Sequence, residues 1–335
     1  MPDLIDIWMP VYNAAETLPL ALLSLQRQTH GDFRVIAVDD GSTDDSLDIL
    51  EATAQDDPRI QPIARGHCGL IAALQSCAST STAEWVARAD ADDIYHKRRL
   101  EEQLARIRAP DAPVLVGTRV AQFPGRLRGE GMRGYTQWVN SLIEHDQLAR
   151  DRLIECPIVH TTFFFRRDAF DRAGGYRDIS GPEDLDLIFR FVENGGRLAT
   201  VPRIRSFWRL RESSLQKTDS RYRTEAFLKT KMAHLLRLGI IGRRPVVIWG
   251  QTEAGKWLAR ALSDNGIEVD AFVDLDPRKI GQRPYGIEVF DGRNYEPNWS
   301  YFHIGMVRNE EARTEFRDRM TTGELEEWEN FVVMQ

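Results

Sequence analysis

The sequence has few cysteines, no long apolar run and no excess of positive charge. Its three cysteines, Cys68, Cys77 and Cys156, are odd in number and lack the spacing of a metal site, so we expect reduced thiols and a cytoplasmic protein. No stretch approaches the roughly 18 apolar residues of a membrane span, and the N-terminal segment "MPDLIDIWMP" lacks the basic start of a signal peptide. The net charge of −7, with both signs mixed along the chain, predicts no nucleic-acid partner.

The length and the order of the apolar segments predict two α/β domains. A chain of 335 residues is too long for one ordinary core. Short apolar strands alternate with helical periodicity, which is typical of a mostly parallel sheet covered by helices on both faces. A new strand–helix–strand pattern begins near Arg243. We therefore expect a first domain over residues 1–220, a helical connector over 221–242 and a second, smaller domain over 243–335.

Turn and cap residues predict several local elements. Pro19 is expected in the first turn of a helix, and Ser42 or Thr43 at the N-cap of a helix over 44–54. The four glycines and one proline of residues 121–134 predict a long mobile loop. The elements expected beyond it are a helix over 135–149, a strand over 158–167 and a helix that starts near Glu183.

A cluster of aspartates directly follows the apolar strand "EWVARA". Asp90, Asp92 and Asp93 are so close in sequence that their charges repel unless a cation or hydrogen bonds compensate them. Asp90 and Asp92 lie two apart, so one strand-like or turn conformation can direct both at one point. Carboxylate oxygens suit Mg²⁺ or Mn²⁺, which complete their shells with water and phosphates. The open alternative is that one aspartate caps the next helix and the others are solvated.

A second acidic group, Glu183 and Asp184, follows Gly181 and Pro182 at the predicted helix start. The helix dipole favours acids in a first turn, so capping alone explains part of this pattern. The apolar side of the helix is expected to anchor it while the first turn faces a cleft.

Four segments occur in an order that resembles the family 2 glycosyltransferases. They are "PVYN", "VDDGSTD", "RADADD" followed by "RRLEEQ", and "GPEDLDL". The likeness runs from about residue 4 to residue 216. The resemblance implies the GT-A nucleotide-sugar-binding fold for the first domain. For the second domain, we expect a smaller Rossmann-like α/β fold.

The resemblance implies a donor site at the first two segments and at a glycine before a helix. Asp40 is implied to accept a hydrogen bond from a uracil N–H, which suits an acceptor-only carboxylate. Asp39 is the expected turn cap, and no base contact is assigned to His67, which stands where the family often has Asn. The implied nucleotide-sugar-binding residues are Pro10, Val11, Tyr12, Asn13, Glu16, Asp40, Gly69, Arg88, Asp90 and Asp92.

The resemblance also implies a divalent cation, Mn²⁺ or Mg²⁺, that bridges the diphosphate. Asp92 is the implied direct ligand, Asp90 binds the ion or the ribose, and Asp93 supports them or caps a helix. Arg88 pairs with a phosphate or with one of these carboxylates, and both alternatives stay open. Many relatives carry a histidine where this chain has Arg211, which cannot ligate a cation but can hold phosphate.

On the acceptor side, the resemblance implies that Asp184 is the general base of an inverting transfer, with Glu183 as the alternative base. His160 lies at a family-typical histidine near the acceptor cleft, or else is a hydrogen-bonded structural histidine. Trp208 either offers an apolar platform to a sugar ring or packs in the core.

The second domain begins with "VVIWGQTEAGKW", which matches two nucleotide motifs only in part. Trp257 replaces the hydroxyl residue of a phosphate-binding loop, and Thr252 replaces the second glycine of a dinucleotide motif. Asp274 matches the acid expected for ribose binding. The segment resembles the nucleotide-binding-like N-terminal domain of bacterial sugar acyltransferases, so a structural or dimerisation module and a nucleotide-binding module are both open.

These inferences predict a metal-dependent hexosyltransferase that moves a sugar from a UDP-linked donor to a hydroxyl of a glycan or lipid-linked acceptor in cell-surface polysaccharide synthesis. Peripheral contact with the inner face of the membrane and a homodimer stay open. Two other functions also remain: a catalytically silent nucleotide- or glycan-binding protein, and an NAD(P)-linked oxidoreductase built on the second domain.

Overall fold

A computed structural model describes residues 3–123, 130–210 and 219–335. Contacts divide the chain into two compact units. The first unit comprises Met1–Ala149, Cys156–Ile179 and Glu183–Lys217, and the second comprises Arg150–Glu155, Ser180–Pro182 and Thr218–Gln335. The domain boundaries at residues 220 and 243 stay a prediction.

The first unit contains an eight-stranded mixed sheet. Its strands are β1 (Ile5–Val11), β2 (Phe33–Asp39), β3 (Ile60–Ala64), β4 (Trp85–Arg88), β5 (Ile94–Tyr95), β6 (Leu115–Phe123), β7 (Phe164–Arg166) and β8 (Leu198–Arg209). Their spatial order is β3-β2-β1-β4-β7-β6-β8-β5. The strands β3, β2, β1 and β4 are parallel to one another, whereas β7 is antiparallel to β4 and β6. The carboxyl ends of β1, β2 and β4 therefore meet at one edge, where ligands of open α/β sheets bind.

Helices pack on both faces of this sheet because side chains alternate along its strands. The helices are α1 (Leu18–Gln26), α2 (Ser46–Asp56), α3 (Leu70–Thr80), α4 (Arg99–Ile107), α5 (Glu130–Ser141), α6 (His145–Asp151), α7 (Arg167–Arg172) and α8 (Glu183–Glu193). On β1, Ile7 and Met9 belong to one apolar cluster with residues of α1 and α4, whereas Trp8 belongs to another with residues of α3 and α8.

The second unit is a smaller parallel α/β unit. Its strands are β9 (Val246–Trp249), β10 (Val269–Asp274), β11 (Glu288–Asp291), β12 (Phe302–Gly305) and β13 (Phe331–Val333), and its helices are α9 (Thr224–Arg237), α10 (Glu253–Asp264) and α11 (Glu310–Thr322). The strands form one sheet in the order β11-β10-β9-β12-β13, and all their pairings are parallel. This is the strand order 3-2-1-4-5 of doubly wound sheets, which confirms the predicted fold class.

Two local predictions are confirmed by the helix starts. Pro19 lies in the first turn of α1, where its missing N–H costs nothing. The helix expected near Glu183 begins at that residue.

The predicted N-cap at Ser42 or Thr43 is wrong, because α2 begins at Ser46 after Asp45. Ser42 Oγ instead accepts a hydrogen bond from Asn13 N at 3.0 Å, which ties the turn after β2 to the end of β1.

The predictions between residues 121 and 167 were correct in part. Strand β6 continues to Phe123 and α5 begins at Glu130, so only 124–129 of the predicted loop lies outside the described residues. The helix expected over 135–149 is two helices, because the Gln147 side chain accepts from the backbone N–H groups of Ile143 and Glu144 and starts α6. The strand expected over 158–167 is a short 3₁₀ helix at His160–Thr162 followed by β7.

Membrane-spanning helices were also sought. Within residues 3–123, 130–210 and 219–335, none of the helices combines the length and the apolarity needed to cross a bilayer.

Gly117 lies in β6 at a point with no room for a side chain. A Cβ there would lie 2.4 Å from Ile158 Cγ2 and 3.2 Å from Thr162 Oγ1. We expect Gly117→Ala to lower the free energy of unfolding by about 1–3 kcal/mol, the usual cost of overpacking, measured by urea unfolding. The matched control is Gly131→Ala in α5, where a Cβ meets no atom within 4 Å and alanine favours the helix. Equal stability of Gly117→Ala and the native protein would contradict this packing.

Candidate functional site

The two aspartates at the end of β2 have different partners. Asp39 Oδ2 accepts a hydrogen bond from Ser42 N at 3.1 Å, so Asp39 caps the turn that follows. Asp40 is 3% exposed and accepts from Gly69 N at 2.7 Å and from Cys68 N at 3.1 Å. Asp40 therefore holds the loop before α3 against the end of β2.

An aromatic pair lies beside Asp40. His67 Nδ1 and Arg65 Nε are 2.9 and 3.3 Å from the Asp40 carboxylate. The His67 ring stacks on Tyr12, with ring centroids 4.2 Å apart. The loop that carries His67 can approach the turn after β2 because residue 41 is glycine, with a φ of 74°. A Cβ at residue 41 would lie only 2.7 Å from His67 N. The exposed tyrosine and histidine thus border a carboxylate whose oxygens already accept from the protein.

The other predicted residues of the first turn lie next to the same turn after β2. Pro10 and Val11 end β1, and the Val11 carbonyl accepts from Asp40 N at 2.8 Å. Asn13 has a φ of 47°, and its side chain accepts from Thr43 N at 2.8 Å. Glu16 is exposed. The base contacts predicted for these residues remain predictions.

Strand β4 ends in a buried arginine. Arg88 is 1% exposed, its Nη2 donates to Asp90 Oδ1 at 2.6 Å, and its Nη1 donates to the Ala89 carbonyl. Arg88 therefore forms a carboxylate ion pair, one of the two alternatives raised by the sequence. The other oxygen of Asp90 has no hydrogen-bond partner among the described residues, and the Asp90 side chain is one-third exposed.

The remaining aspartates of the cluster are held by the end of β8. Arg209 N donates to Asp93 Oδ1 at 2.7 Å, and Arg209 Nε donates to the Asp92 carbonyl at 2.7 Å. Burial, followed by the charges of Asp90 and Asp92, raises the pKa of Asp93 well above its ordinary value. Asp93 thus supports the turn from inside, while Asp90 and Asp92 are partly exposed.

Polar groups of the "RRLEEQ" segment fix the carbonyl end of β4. Arg99 Nη2 donates to the Arg88 carbonyl at 2.7 Å, and Arg99 Nε donates to Gln103 Oε1 at 2.9 Å. Burial lowers the pKa of Arg99 to about 10. The Tyr95 hydroxyl accepts from Asp90 N at 2.6 Å. Helix α4 and Tyr95 therefore position the turn that carries Asp90.

His160 joins the β4 end to the start of α8. Its Nε2 lies 2.6 Å from the Tyr176 hydroxyl, and its Nδ1 lies 3.5 Å from Glu183 Oε1. Burial, then the charge of Arg88, lowers the pKa of His160 well below its ordinary value, so the imidazole is neutral. The neutral ring therefore contacts the Tyr176 hydroxyl and lies beside the buried Glu183 carboxylate without forming a charged pair with it.

Asp184 is held by its own helix and by a thiol. Leu185 N donates to Asp184 Oδ1 at 2.7 Å, and the Cys156 thiol lies 3.4 Å from Asp184 Oδ2 and 3.2 Å from the Ile158 carbonyl, so its one proton is shared between the two oxygens. Asp186, two positions on, instead forms a buried ion pair with Arg190 at 2.8 Å. The three acids at the start of α8 thus differ in their partners, and the role of Asp184 as base is a proposal.

The remaining acceptor-side predictions have different outcomes. Trp208 packs edge-on against Tyr135, at 6.2 Å between ring centroids, beside a small apolar cluster that includes Val120. It remains partly buried rather than enclosed. Arg211 lies outside the described residues.

The metal prediction receives limited support from the protein atoms. In the part of the chain that the structure describes, no group of three or more His, Cys, Asp or Glu side chains is arranged to hold a metal ion. At the end of β4, Asp90 and Asp92 are the partly exposed carboxylates of the described aspartate turn, and each carries hard oxygen donors. That number fits Mg²⁺ or Mn²⁺, which take one or two carboxylates and fill their shells with water and phosphate.

Sequence reasoning missed Tyr176 and Tyr95. Burial raises the pKa of both phenols well above the ordinary value, so both remain protonated hydrogen-bonding groups. Tyr176 stands directly after a glycine pair, and Tyr95 stands two positions after the last aspartate of the cluster, Asp93. An aromatic residue next to such segments is the only sequence signal that points to them.

Comparisons with known proteins agree with this fold. A family model described as glycosyl transferase family 2 matches residues 6–174. Over 198 residues the chain is 32% identical to glycosyltransferase EpsE of Bacillus subtilis (strain 168), and the match covers 58% of this chain and 68% of that protein.

Two solved structures are similar in fold. One is S. aureus TarS residues 1–349 in complex with UDP-GlcNAc, with 17% identity, a TM-score of 0.54 and coverage of 77% of this chain and 71% of that chain. The other is mannosyltransferase PcManGT from Pyrobaculum calidifontis in complex with GDP-Man and Mn²⁺, with 17% identity, a TM-score of 0.53 and coverage of 73% and 66%. These likenesses confirm the predicted GT-A fold.

The neutral state of His160 makes stability depend on pH. Because its pKa in the folded protein is depressed, the unfolded chain takes up the proton first as the pH falls below ~6.5, and stability is lost. We expect His160→Gln to be less stable than the native protein near neutral pH and this gap to narrow towards acid pH, measured by urea unfolding. His30→Gln is the control, since His30 contacts main-chain oxygens near the surface. A gap that is constant with pH would contradict a neutral His160.

Proposed function

Since the chain belongs to glycosyl transferase family 2 and is a glycosyltransferase, we propose that it transfers a sugar from a UDP-linked donor to an acceptor hydroxyl with inversion, aided by a divalent cation. The observation that carries the proposal is that Asp90, which is partly exposed and paired with buried Arg88, and Asp184 both lie within electrostatic range of the buried Tyr176 phenol. Donor and acceptor groups thereby border a common region of the first unit.

The donor base is assigned to the space beside Tyr12 and Asp40. Tyr12 and His67 offer stacked rings to a planar base, and Asp40 offers a buried carboxylate. Because the Asp40 oxygens already accept from the protein, a uracil N–H would replace one of the weaker existing donors, such as Arg65 Nε at 3.3 Å. The UDP-GlcNAc complex of TarS supports a uridine donor for this fold.

The diphosphate is assigned to the edge at Asp90 and Asp92. Their oxygens fit a hard divalent cation, and the Mn²⁺ complex of PcManGT supports its use in this fold. When bound, such an ion would neutralise the negative charge that develops on the departing diphosphate. Arg88 holds the Asp90 carboxylate in place, and Arg99 holds the Arg88 backbone. The arginines thus position the donor edge.

The acceptor hydroxyl is assigned to Asp184, which removes its proton as the oxygen attacks the anomeric carbon. The Cys156 thiol and Leu185 N orient the carboxylate. Glu183 is the weaker candidate because it is 1% exposed and faces His160. The acceptor is proposed to be a glycan or lipid-linked glycan in the cytoplasm.

Replacement of the proposed base tests the chemistry. We expect Asp184→Asn to lower the transfer rate by ~10²–10⁴ and to leave UDP affinity unchanged, because the base acts only on the acceptor. The measurement is UDP release from a panel of UDP-sugars with a glycan acceptor, together with calorimetric UDP binding. Asp178→Asn, an exposed position before α8, is the control. A transfer rate of Asp184→Asn equal to that of the native protein would contradict the assignment. Equally slow rates in the native protein and in Asp184→Asn would indicate a silent binding protein.

Replacement of the proposed metal ligand tests the donor edge. We expect Mn²⁺ to tighten UDP binding to the native protein and to have no such effect on Asp92→Asn, because an amide is a poorer ligand than a carboxylate. Calorimetric titrations with Mn²⁺ and with EDTA measure the difference. Asp48→Asn in the first turn of α2 is the control. UDP affinity that is independent of Mn²⁺ in the native protein would contradict a metal-dependent donor site.

A further inference from the structure

The second unit contains a cavity that the glycosyltransferase site does not use. It has a volume of about 150 Å³ and lies at the carboxyl ends of β9 and β10, next to α11. Its apolar walls come from Trp249, Val273, Leu275, Val307 and Phe316. An apolar cavity of this volume holds one aromatic ring molecule.

The position of the cavity in the sheet favours a ligand site. The chain builds β9, β10 and β11 outward in one direction, and then returns to place β12 on the other side of β9. Ligands of open parallel sheets bind outside the carboxyl ends of strands at the point where the strand order reverses. The cavity lies at this point.

The backbone after β9 is shaped to leave this space. Gly250 has a φ of 106°, and a Cβ there would lie 2.6 Å from the Met306 carbonyl. Met306 N donates to the Trp249 carbonyl at 2.7 Å, so the loops after β9 and β12 are in direct contact. A side chain at residue 250 would separate them, which explains the glycine.

An ionised carboxylate lines the cavity. Burial acts to raise the pKa of Asp274, but hydrogen bonds from Asp276 N, Lys279 Nζ and Gln251 N bring it below its ordinary value. Oδ2 accepts from Gln251 N and Lys279, and Oδ1 accepts from Asp276 N at 2.9 Å. A carboxylate has about four acceptor positions, so one remains for a ligand hydroxyl.

The turn that would hold a diphosphate is instead satisfied internally. Thr252 Oγ1 accepts from Gly255 N at 3.0 Å and caps α10, and Gln251 N donates to Asp274. The threonine side chain stands where the dinucleotide motif has a glycine that lets the pyrophosphate approach. The turn therefore lacks the open backbone that a dinucleotide requires.

We propose that the second unit binds the ribonucleoside part of a nucleotide, with the base in the apolar cavity, a ribose hydroxyl on Asp274 and no diphosphate subsite. In this proposal the turn after β9 makes no contact with the phosphates of the nucleotide, whereas the same turn binds the pyrophosphate of a dinucleotide cofactor in the dinucleotide motif. This site is separate in sequence from the proposed donor site, so either can fail without the other.

The test uses the full chain and titrates adenosine, uridine and NAD⁺ separately by calorimetry. Ala312→Leu fills the cavity from α11, where leucine is also a good helix former. Ala261→Leu on α10 is the matched control, a half-buried helical alanine outside the cavity lining. Asp274→Asn is a second variant that tests the ribose contact.

We expect at least one nucleoside to bind saturably, with affinity reduced about tenfold or more in Ala312→Leu and in Asp274→Asn, and unchanged in Ala261→Leu. NAD⁺ is expected to bind no more tightly than the better nucleoside. The proposal is overturned if no nucleoside binds, if Ala312→Leu and Asp274→Asn leave the affinity of every nucleoside unchanged, or if NAD⁺ binds far more tightly than adenosine.

Discussion

A buried guanidinium beside crowded carboxylates is the constraint on which the first unit depends. Arg88 ends a fully buried strand and pairs with Asp90, while Asp92 and Asp93 follow within the same turn. Burying a charge is costly unless it is paired, so strand, turn and helix α4 must meet in one geometry. The hydrogen bonds of Arg99 to the Arg88 carbonyl and of Arg209 to the aspartate turn provide that geometry. Contacts within the protein thus fix the edge to which the donor is proposed to bind.

The same charge influences the proposed acceptor side. Arg88 contributes to the low pKa of His160, and the neutral imidazole lies between Tyr176 and Glu183 at the start of α8. In the first turn of α8, Leu185 N and the Cys156 thiol contact the Asp184 carboxylate. A proton acceptor for catalysis needs a defined position more than an unusual environment. The proposed donor carboxylate Asp90 and the proposed base Asp184 therefore lie within electrostatic range of one buried phenol, Tyr176.

Local sequence signals were sufficient where one segment determines its own structure. The strand before the aspartates, the proline in α1 and the acidic start of α8 are read from short patterns. The partners of those segments were not readable, because Tyr176 and Cys156 reach the site from distant positions. The predicted cap at Ser42 is wrong for the same reason: its hydroxyl accepts from the backbone N–H of Asn13, in the turn after β1. Tertiary contacts overrode local preference in each case.

The most direct measurement is anomalous diffraction at the manganese edge from crystals grown with a UDP-sugar and Mn²⁺. The account predicts one strong peak at the carboxyl end of β4, beside Asp90 and Asp92, with the nucleotide diphosphate in contact with it and the Arg88–Asp90 pair intact. A nucleotide bound at this edge without an ion, or an ion and nucleotide bound elsewhere in the chain, would contradict it.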